Sequence, residues 1–275
     1  MKATLIFITI WCSTALQAQP ENAHWFGQQL DIGKTYHTFA NNLTLRDAPS
    51  KDGATIVLLP INTAVTVLKL FENTVQIMGF HSPWAQVQIG ERQGYVAAAM
   101  LASGRHALND GSHLLYTRTG SGNEDHYQDK LLFRHVTASG FKEFPPRELF
   151  NNSFAVQVSD NRGLQGIDHV IEVRYLAESC GEQGGKSYYT LDLNKSTLTN
   201  LGIYSSIGDG GVYHQYEELT FPADEDGREN VLIYTGEQGS YIDDAETEYR
   251  TIKKSRNYEW SNGGLVKAIV PFVYE

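Results

Sequence analysis

The sequence predicts an all-β protein: a small five-stranded barrel followed by a larger antiparallel β domain, either a sandwich or a rolled sheet. Three observations carry the prediction. Glycine (25), tyrosine (15) and phenylalanine (12) are abundant while methionine is scarce (3), the mix expected of strands joined by tight turns. Apolar runs are short and often alternate with polar residues, the two-residue period of a half-buried strand. Clusters of Asp, Asn, Gly and Pro punctuate those runs. The 275 residues suffice for one large or two modest domains. A hydrophobic content of 41%, 20% charged residues and a mean hydropathy of -0.34 are those of a globular chain, which excludes disordered and collagen-like classes.

Residues 1–18 read as a secretory signal peptide. Lys2 gives the positive start, and Leu5 to Cys12 form an apolar run too short to span a bilayer. Small residues lead to a cut after Ala18, or by the Ser13/Ala15 spacing after Ala15. Ile10 and Trp11 ahead of Cys12 do not suit a lipid-anchored cysteine. No later stretch reaches the roughly 18 consecutive apolar residues of a membrane helix. The expected location is therefore periplasmic or secreted. Cleavage removes Cys12 and leaves Cys180 alone, so no intramolecular disulfide can form. Residues 19–33 form an N-terminal extension.

Residues 34–103 carry the five strands: Leu43–Arg46, Thr55–Leu59, Val65–Leu70, Trp84–Ile89 and Gly94–Val96. Turn residues lie between them at 47–50, 52–53, 60–62, 81–83 and 90–93. The run Leu45-Arg-Asp-Ala-Pro-Ser50, the strand Ala64-Val-Thr-Val-Leu68 and the closing set Trp84, Val87, Gly90, Gly94, Tyr95 and Val96 together resemble the bacterial SH3 (SH3b) domain. Ala97–Leu101 is similar to that family's last 3₁₀ turn. The resemblance covers about a quarter of the chain, and the segment between Leu70 and Trp84 is longer than the family's usual loop.

The resemblance implies an SH3-like barrel that binds rather than catalyses. Its expected partners are a peptidoglycan peptide or an envelope protein. Asp47, Phe80, Trp84 and Tyr95 are the expected ligand-binding residues, in a shallow groove between loops. Trp84 and Tyr95 equally suit packing positions of such a barrel.

Residues 104–275 stay rich in strand patterns. Candidates are 114–116, 130–133, 154–158, 170–175, 187–193, 216–221, 230–234, 248–252 and 257–260, with one short helix starting at Pro145-Pro146. Ile171, Val173 and Tyr175 share one strand face, as do Tyr189, Leu191 and Leu193, and the two strands suit a hairpin across the loop at Cys180. Tyr188–Leu198 resembles one hairpin of a propeller blade, but no second copy recurs, and one blade cannot close a ring.

Charge is uneven. Residues 34–103 hold five basic and four acidic side chains, whereas 104–275 hold 16 and 26, which places the net charge of -10 in the second region. That balance argues against a nucleic-acid binder, which needs basic patches on phosphates. Eleven carboxylates with Arg228 fall within 217–248. Asp224-Glu-Asp-Gly227 lacks the third ligand and the distant Glu of an EF-hand, so a solvated acidic strand edge is the expectation over calcium. The nine His show no spacing for zinc, and Ser205–Val212 lacks the Lys of a phosphate loop. No cofactor is expected. The alternative function is a cell-wall hydrolase or peptidase with Cys180 as nucleophile. Ser179-Cys180-Gly181 lacks the preceding Asp of the NlpC/P60 peptidases that often accompany SH3b modules, and His214 is the candidate base on a following strand. A non-enzymatic exported binding protein is the favoured expectation.

Overall fold

The computed structural model describes residues 23–24, 30–120, 129–149, 151–177, 179–242 and 248–274. The signal segment 1–18, with Cys12, lies outside the described residues, as do Glu178 and the Asp243-Asp244 pair. The protein is all-β: among the described residues 20 strands form three antiparallel sheets and there is no α-helix. No helix among them is long and apolar enough to cross a membrane.

After the two-residue strand β1 (Ala23–His24), the first sheet contains β2 (Thr35–His37), β3 (Leu43–Arg46), β4 (Thr55–Leu59), β5 (Ala64–Ile77), β6 (Phe80–Ile89) and β7 (Arg92–Ala97). Their order is β2-β5-β6-β7-β3-β4. Alternate residues Leu43, Leu45, Val65, Val67, Ala85, Val87 and Val96 converge on one core with Leu59 and Leu101. A single sheet can bury one face on itself only by curling, so the six strands wrap around their own side chains. The 3₁₀ turn expected after the last strand is present at Ala98–Met100.

Three expectations for this region need correction. The sheet has six strands, because Thr35–His37 pairs with Ala64–Thr66. The segment between Leu70 and Trp84 is not a loop: β5 and β6 run on as one hairpin to Met78-Gly79, both at positive φ. Register shifts at Val67/Lys69 and Leu70/Thr74 absorb the extra residues. His81–Pro83, expected as a turn, therefore lies within β6.

The second sheet contains β8 (Gly104–Ala107), β9 (His113–Thr119), β10 (Lys130–Thr137), β11 (Gly140–Glu143) and β12 (Arg147–Glu148), in order β11-β10-β9-β8 with β12 against β10. No helix follows Pro145-Pro146. A Pro biases the residue before it toward extended backbone, and Arg147–Glu148 pairs with Lys130–Leu131 instead.

The third sheet is β1-β13-β14-β15-β16-β17-β18-β19-β20. It adds β13 (Phe154–Ser159), β14 (His169–Tyr175), β15 (Gly184–Asp192), β16 (Thr197–Asp209), β17 (Tyr213–Thr220), β18 (Val231–Tyr241), β19 (Tyr249–Ser261) and β20 (Gly264–Leu265). The β14–β15 hairpin pairs Ile171 with Tyr189 and Val173 with Ser187. Ile171, Val173, Tyr175, Tyr189 and Leu191 pack under Leu114, Tyr116, Leu131 and Phe133 of the second sheet, which makes a sandwich. On the opposite face, Val170 and Tyr188 pack against Leu232, Tyr234, Tyr258 and Trp260 of the same sheet, so its far end rolls over its beginning. Both expected architectures, sandwich and roll, occur in one sheet. A register shift at Tyr188/Tyr189 lies where the roll departs from the sandwich.

The barrel is docked on the second sheet. Phe39 of the barrel is buried with Leu115, Leu132 and Val136. The Arg134 guanidinium lies 4.2 Å from the centre of the Phe39 ring and donates to the Phe39 carbonyl.

Candidate functional site

The four residues expected to line a ligand groove separate into three places. Asp47 is exposed in the turn after β3, where its carboxylate accepts the Ala54 N–H at 2.7 Å and closes the turn. Trp84 is 5% exposed and packs with Val75, Ala97, Phe71 and Tyr95. Tyr95 is half-buried, and its ring meets Phe71 edge-on at 5.5 Å. Phe80 starts β6 at the tip of the hairpin, with the Arg118 guanidinium 5.5 Å from its ring centre, at the junction with the second sheet. Trp84 and Tyr95 come together, Asp47 shapes a turn, and Phe80 belongs to the docking contact.

A groove of about 380 Å³ nevertheless lies beside Trp84. One wall is Pro49, Ser50 and Lys51, and the other is Asn73, Thr74, Val75 and Gln76. The Asn73 amide donates to the Pro49 carbonyl at 2.7 Å and ties the two walls together. Asn73 and Gln76 were not expected here, because residues 71–83 read as a loop, and Lys51 follows the turn at 47–50 and was not among the expected lining residues. The signal was Val75-Gln76-Ile77, with Phe71 at the same even spacing and Glu72 and Thr74 between, which is the alternation of a strand.

Comparison with known protein families, with curated proteins and with solved structures finds no match.

Cys180 is exposed in the turn between β14 and β15. Its neighbour Gly181 donates to the Gly208 carbonyl at 2.9 Å, and the Glu182 carboxylate accepts from Ser179 N–H and from the Asn151 amide. A nucleophilic thiolate is favoured by cationic neighbours or a helix N-terminus, and this turn is acidic. His214 has both ring nitrogens engaged elsewhere: Nδ1 with the Tyr249 hydroxyl at 2.7 Å and Nε2 with Glu237 at 3.1 Å.

The acidic stretch is not a strand edge. β17 and β18 are interior strands, and their carboxylates have partners. Glu217 accepts from the Tyr234 hydroxyl at 2.6 Å and from Ser205 N–H at 3.0 Å. Asp224 is held by Arg162 and by Phe221 N–H. Among the described residues no three His, Cys, Asp or Glu side chains converge as a metal site.

A buried polar chain escaped the sequence reading. The Ser112 hydroxyl donates to Asp110 at 2.5 Å and lies 2.7 Å from His135 Nε2, while His135 Nδ1 lies 3.3 Å from the Ser196 hydroxyl. Ser112 and His135 are 6% and 4% exposed, so these groups satisfy one another inside the fold. Burial holds His135 below the usual histidine range; Asp110 works against that shift and His169 adds to it.

Proposed function

We propose that the protein is an exported, non-enzymatic binding protein whose SH3b-like barrel takes a short envelope peptide in the groove beside Trp84. The observation that supports this reading best is the groove itself, open between the Pro49–Lys51 turn and the Asn73–Gln76 strand segment. Its chemistry suits an extended peptide: side-chain amides of Asn73 and Gln76 offer both donors and acceptors, and Lys51 supplies a cation for a carboxylate. Peptidoglycan stem peptides carry such carboxylates. The export part of the proposal rests on Lys2 and the Leu5–Cys12 run. A hydrolase acting through Cys180 is the less favoured reading, given the acidic turn around the thiol and the commitment of both His214 nitrogens.

The test is co-sedimentation of the chain from Gln19 onward with purified peptidoglycan, against a Lys51→Ala/Asn73→Ala double variant. Retention that the double variant loses supports the proposal. No retention, or equal retention of both proteins, overturns it.

A further inference from the structure

The outer face of β17–β19 holds a second cavity, of about 410 Å³, in a different sheet from the barrel. Two cross-strand rows build it. Tyr216, Glu237 and Lys253 stand opposite one another on β17, β18 and β19, and Glu218, Thr235 and Ser255 form the next row. Directly paired residues of antiparallel strands share a face, so all six side chains rise on the same side.

The following row contains a gap, because His214 is paired with Gly239. A side chain at Gly239 would collide with the His214 ring and come within 2.8 Å of Tyr249. Glycine here lets both rings lie across the sheet. Tyr216, His214 and Tyr249 consequently form a stacked run, with centroid separations of 5.3 and 5.9 Å and interplanar angles of 23° and 21°. Tyr216 ends the run at the cavity and is 50% exposed.

The polar groups are fixed as well. Glu237 takes His214 on one oxygen at 3.1 Å and the Lys253 ammonium on the other at 2.7 Å. Glu218 meets Lys186 at 3.3 Å. Glu217, which also lines the cavity, is held by the Tyr234 hydroxyl and the Ser205 N–H, and Lys254 by the Val273 carbonyl. The three carboxylates Glu217, Glu218 and Glu237 are thus matched in number by Lys186, Lys253 and Lys254, and no excess of either sign is left to draw a phosphate or a basic peptide.

We propose that this cavity is a binding site for a neutral saccharide. A pyranose has an apolar C–H face that matches an exposed tyrosine ring, and a rim of hydroxyls that donate to carboxylates and accept from an ammonium. Tyr216 supplies the stacking face. Glu218 and Glu237 accept from adjacent hydroxyls, while Thr235, Ser255 and Lys253 complete the rim. The volume falls in the ordinary range for small-molecule sites, about 300–1,000 Å³. The inference is independent of the barrel groove.

The test is calorimetric titration of the full mature chain with three probes: cellotetraose, maltotetraose and the β-1,4-linked tetramer of N-acetylglucosamine. Binding of at least one is expected. Tyr216→Ala is expected to weaken it by about tenfold and Tyr216→Phe by less than about threefold, since the ring face is kept. Glu218→Gln, at a side chain 63% exposed, is a second variant should Tyr216→Ala fail to fold, and it too is expected to weaken binding. Absence of heat with all three probes overturns the proposal. So does an affinity that neither Tyr216→Ala nor Glu218→Gln alters. Lys51→Ala/Asn73→Ala must leave saccharide binding unchanged, which separates this site from the barrel groove.

Discussion

Gly79 and Gly120 meet backbone to backbone where the barrel joins the second sheet. Gly120 donates its N–H to the Met78 carbonyl at 2.8 Å, and a Cβ on Gly120 would lie 2.5 Å from the Gly79 carbonyl oxygen. The Thr119 hydroxyl donates to the same Met78 carbonyl at 2.8 Å. The long β5–β6 hairpin thus reaches out of the barrel, and its tip is hydrogen-bonded to the end of β9.

Substitution at this contact should loosen the joint between the two sheets. Gly120→Ala forces the hairpin tip away by overpacking, with an expected loss of about 1–3 kcal/mol. Urea unfolding followed by tryptophan fluorescence, which reports both Trp84 in the barrel and Trp260 in the third sheet, and by far-ultraviolet circular dichroism checks it. Two separated transitions in the variant, against one in the parent, are the expected signature. Unchanged unfolding would mean that the tip contact contributes nothing.

Asp224 has a structural task in place of the calcium role that its Asp-Glu-Asp-Gly setting invites. Arg162 donates to its two oxygens at 2.7 and 2.6 Å, and the Phe221 N–H donates to one of them at 2.8 Å. The guanidinium also lies 3.9 Å from the Phe221 ring centre. Asp224→Ala is expected to cost about 1.5–3 kcal/mol, the range for hydrogen bonds to a charged group. Thermal unfolding with and without added calcium should give the same midpoint for the parent protein. A midpoint raised by calcium would reinstate the metal site.

The fold was legible wherever local pattern and tertiary burial agree. The alternation of Ile171, Val173 and Tyr175 marked the face that the second sheet covers, and the hairpin with Tyr189 and Leu191 followed from it. β19 was less legible: residues 248–252 and 257–260 read as two strands because Lys253-Lys254-Ser255-Arg256 looks like a polar break. In the fold those residues stay in the strand, since Lys253 meets Glu237, Lys254 lies over Tyr274 and Arg256 lies over Phe272. Those partners come from another strand and from the C-terminal segment, which no local window contains. The candidate site divides in the same way. Phe80, Trp84 and Tyr95 were expected in one groove; Trp84 and Tyr95 do share a cluster with Phe71, whereas Phe80 meets Arg118 of β9 at the hairpin tip. The Tyr216–His214–Tyr249 run depends on Gly239 lying opposite His214, a cross-strand register that spacing along the chain does not reveal.

Stability should fall as the medium turns acid. His37, His106, His113 and His135 are all held below the ordinary histidine value, in each case chiefly by burial. Arg105 adds to the effect at His37 and His113. In the unfolded chain these rings titrate near ~6.5. Between that value and the lower folded values the unfolded state binds more protons, so stability is complete above about 6.5 and declines below it. Unfolding midpoints taken from pH 7.5 down to 5 should decrease, and His135→Gln should flatten part of the slope. A constant midpoint across that range would contradict the shifts.

Trp84 offers the sharpest separation of packing from recognition. Its side chain is 5% exposed within the cluster of Val75, Phe71, Tyr95 and Ala97, so truncation leaves a void that these neighbours cannot fill. Trp84→Ala is expected to cost about 3–5 kcal/mol, as buried aromatic truncations do, and Trp84→Phe to cost less because part of the ring volume remains. Lys51→Ala, at an exposed side chain on the groove wall, should change stability by no more than about 0.5 kcal/mol. Urea unfolding of the three variants checks the set. Near-parent stability in Trp84→Ala would show that the indole is dispensable for packing and return it to the ligand. The expected pattern instead makes Trp84 the support of the groove, and leaves Lys51, Asn73 and Gln76 as the side chains for the proposed peptide to meet.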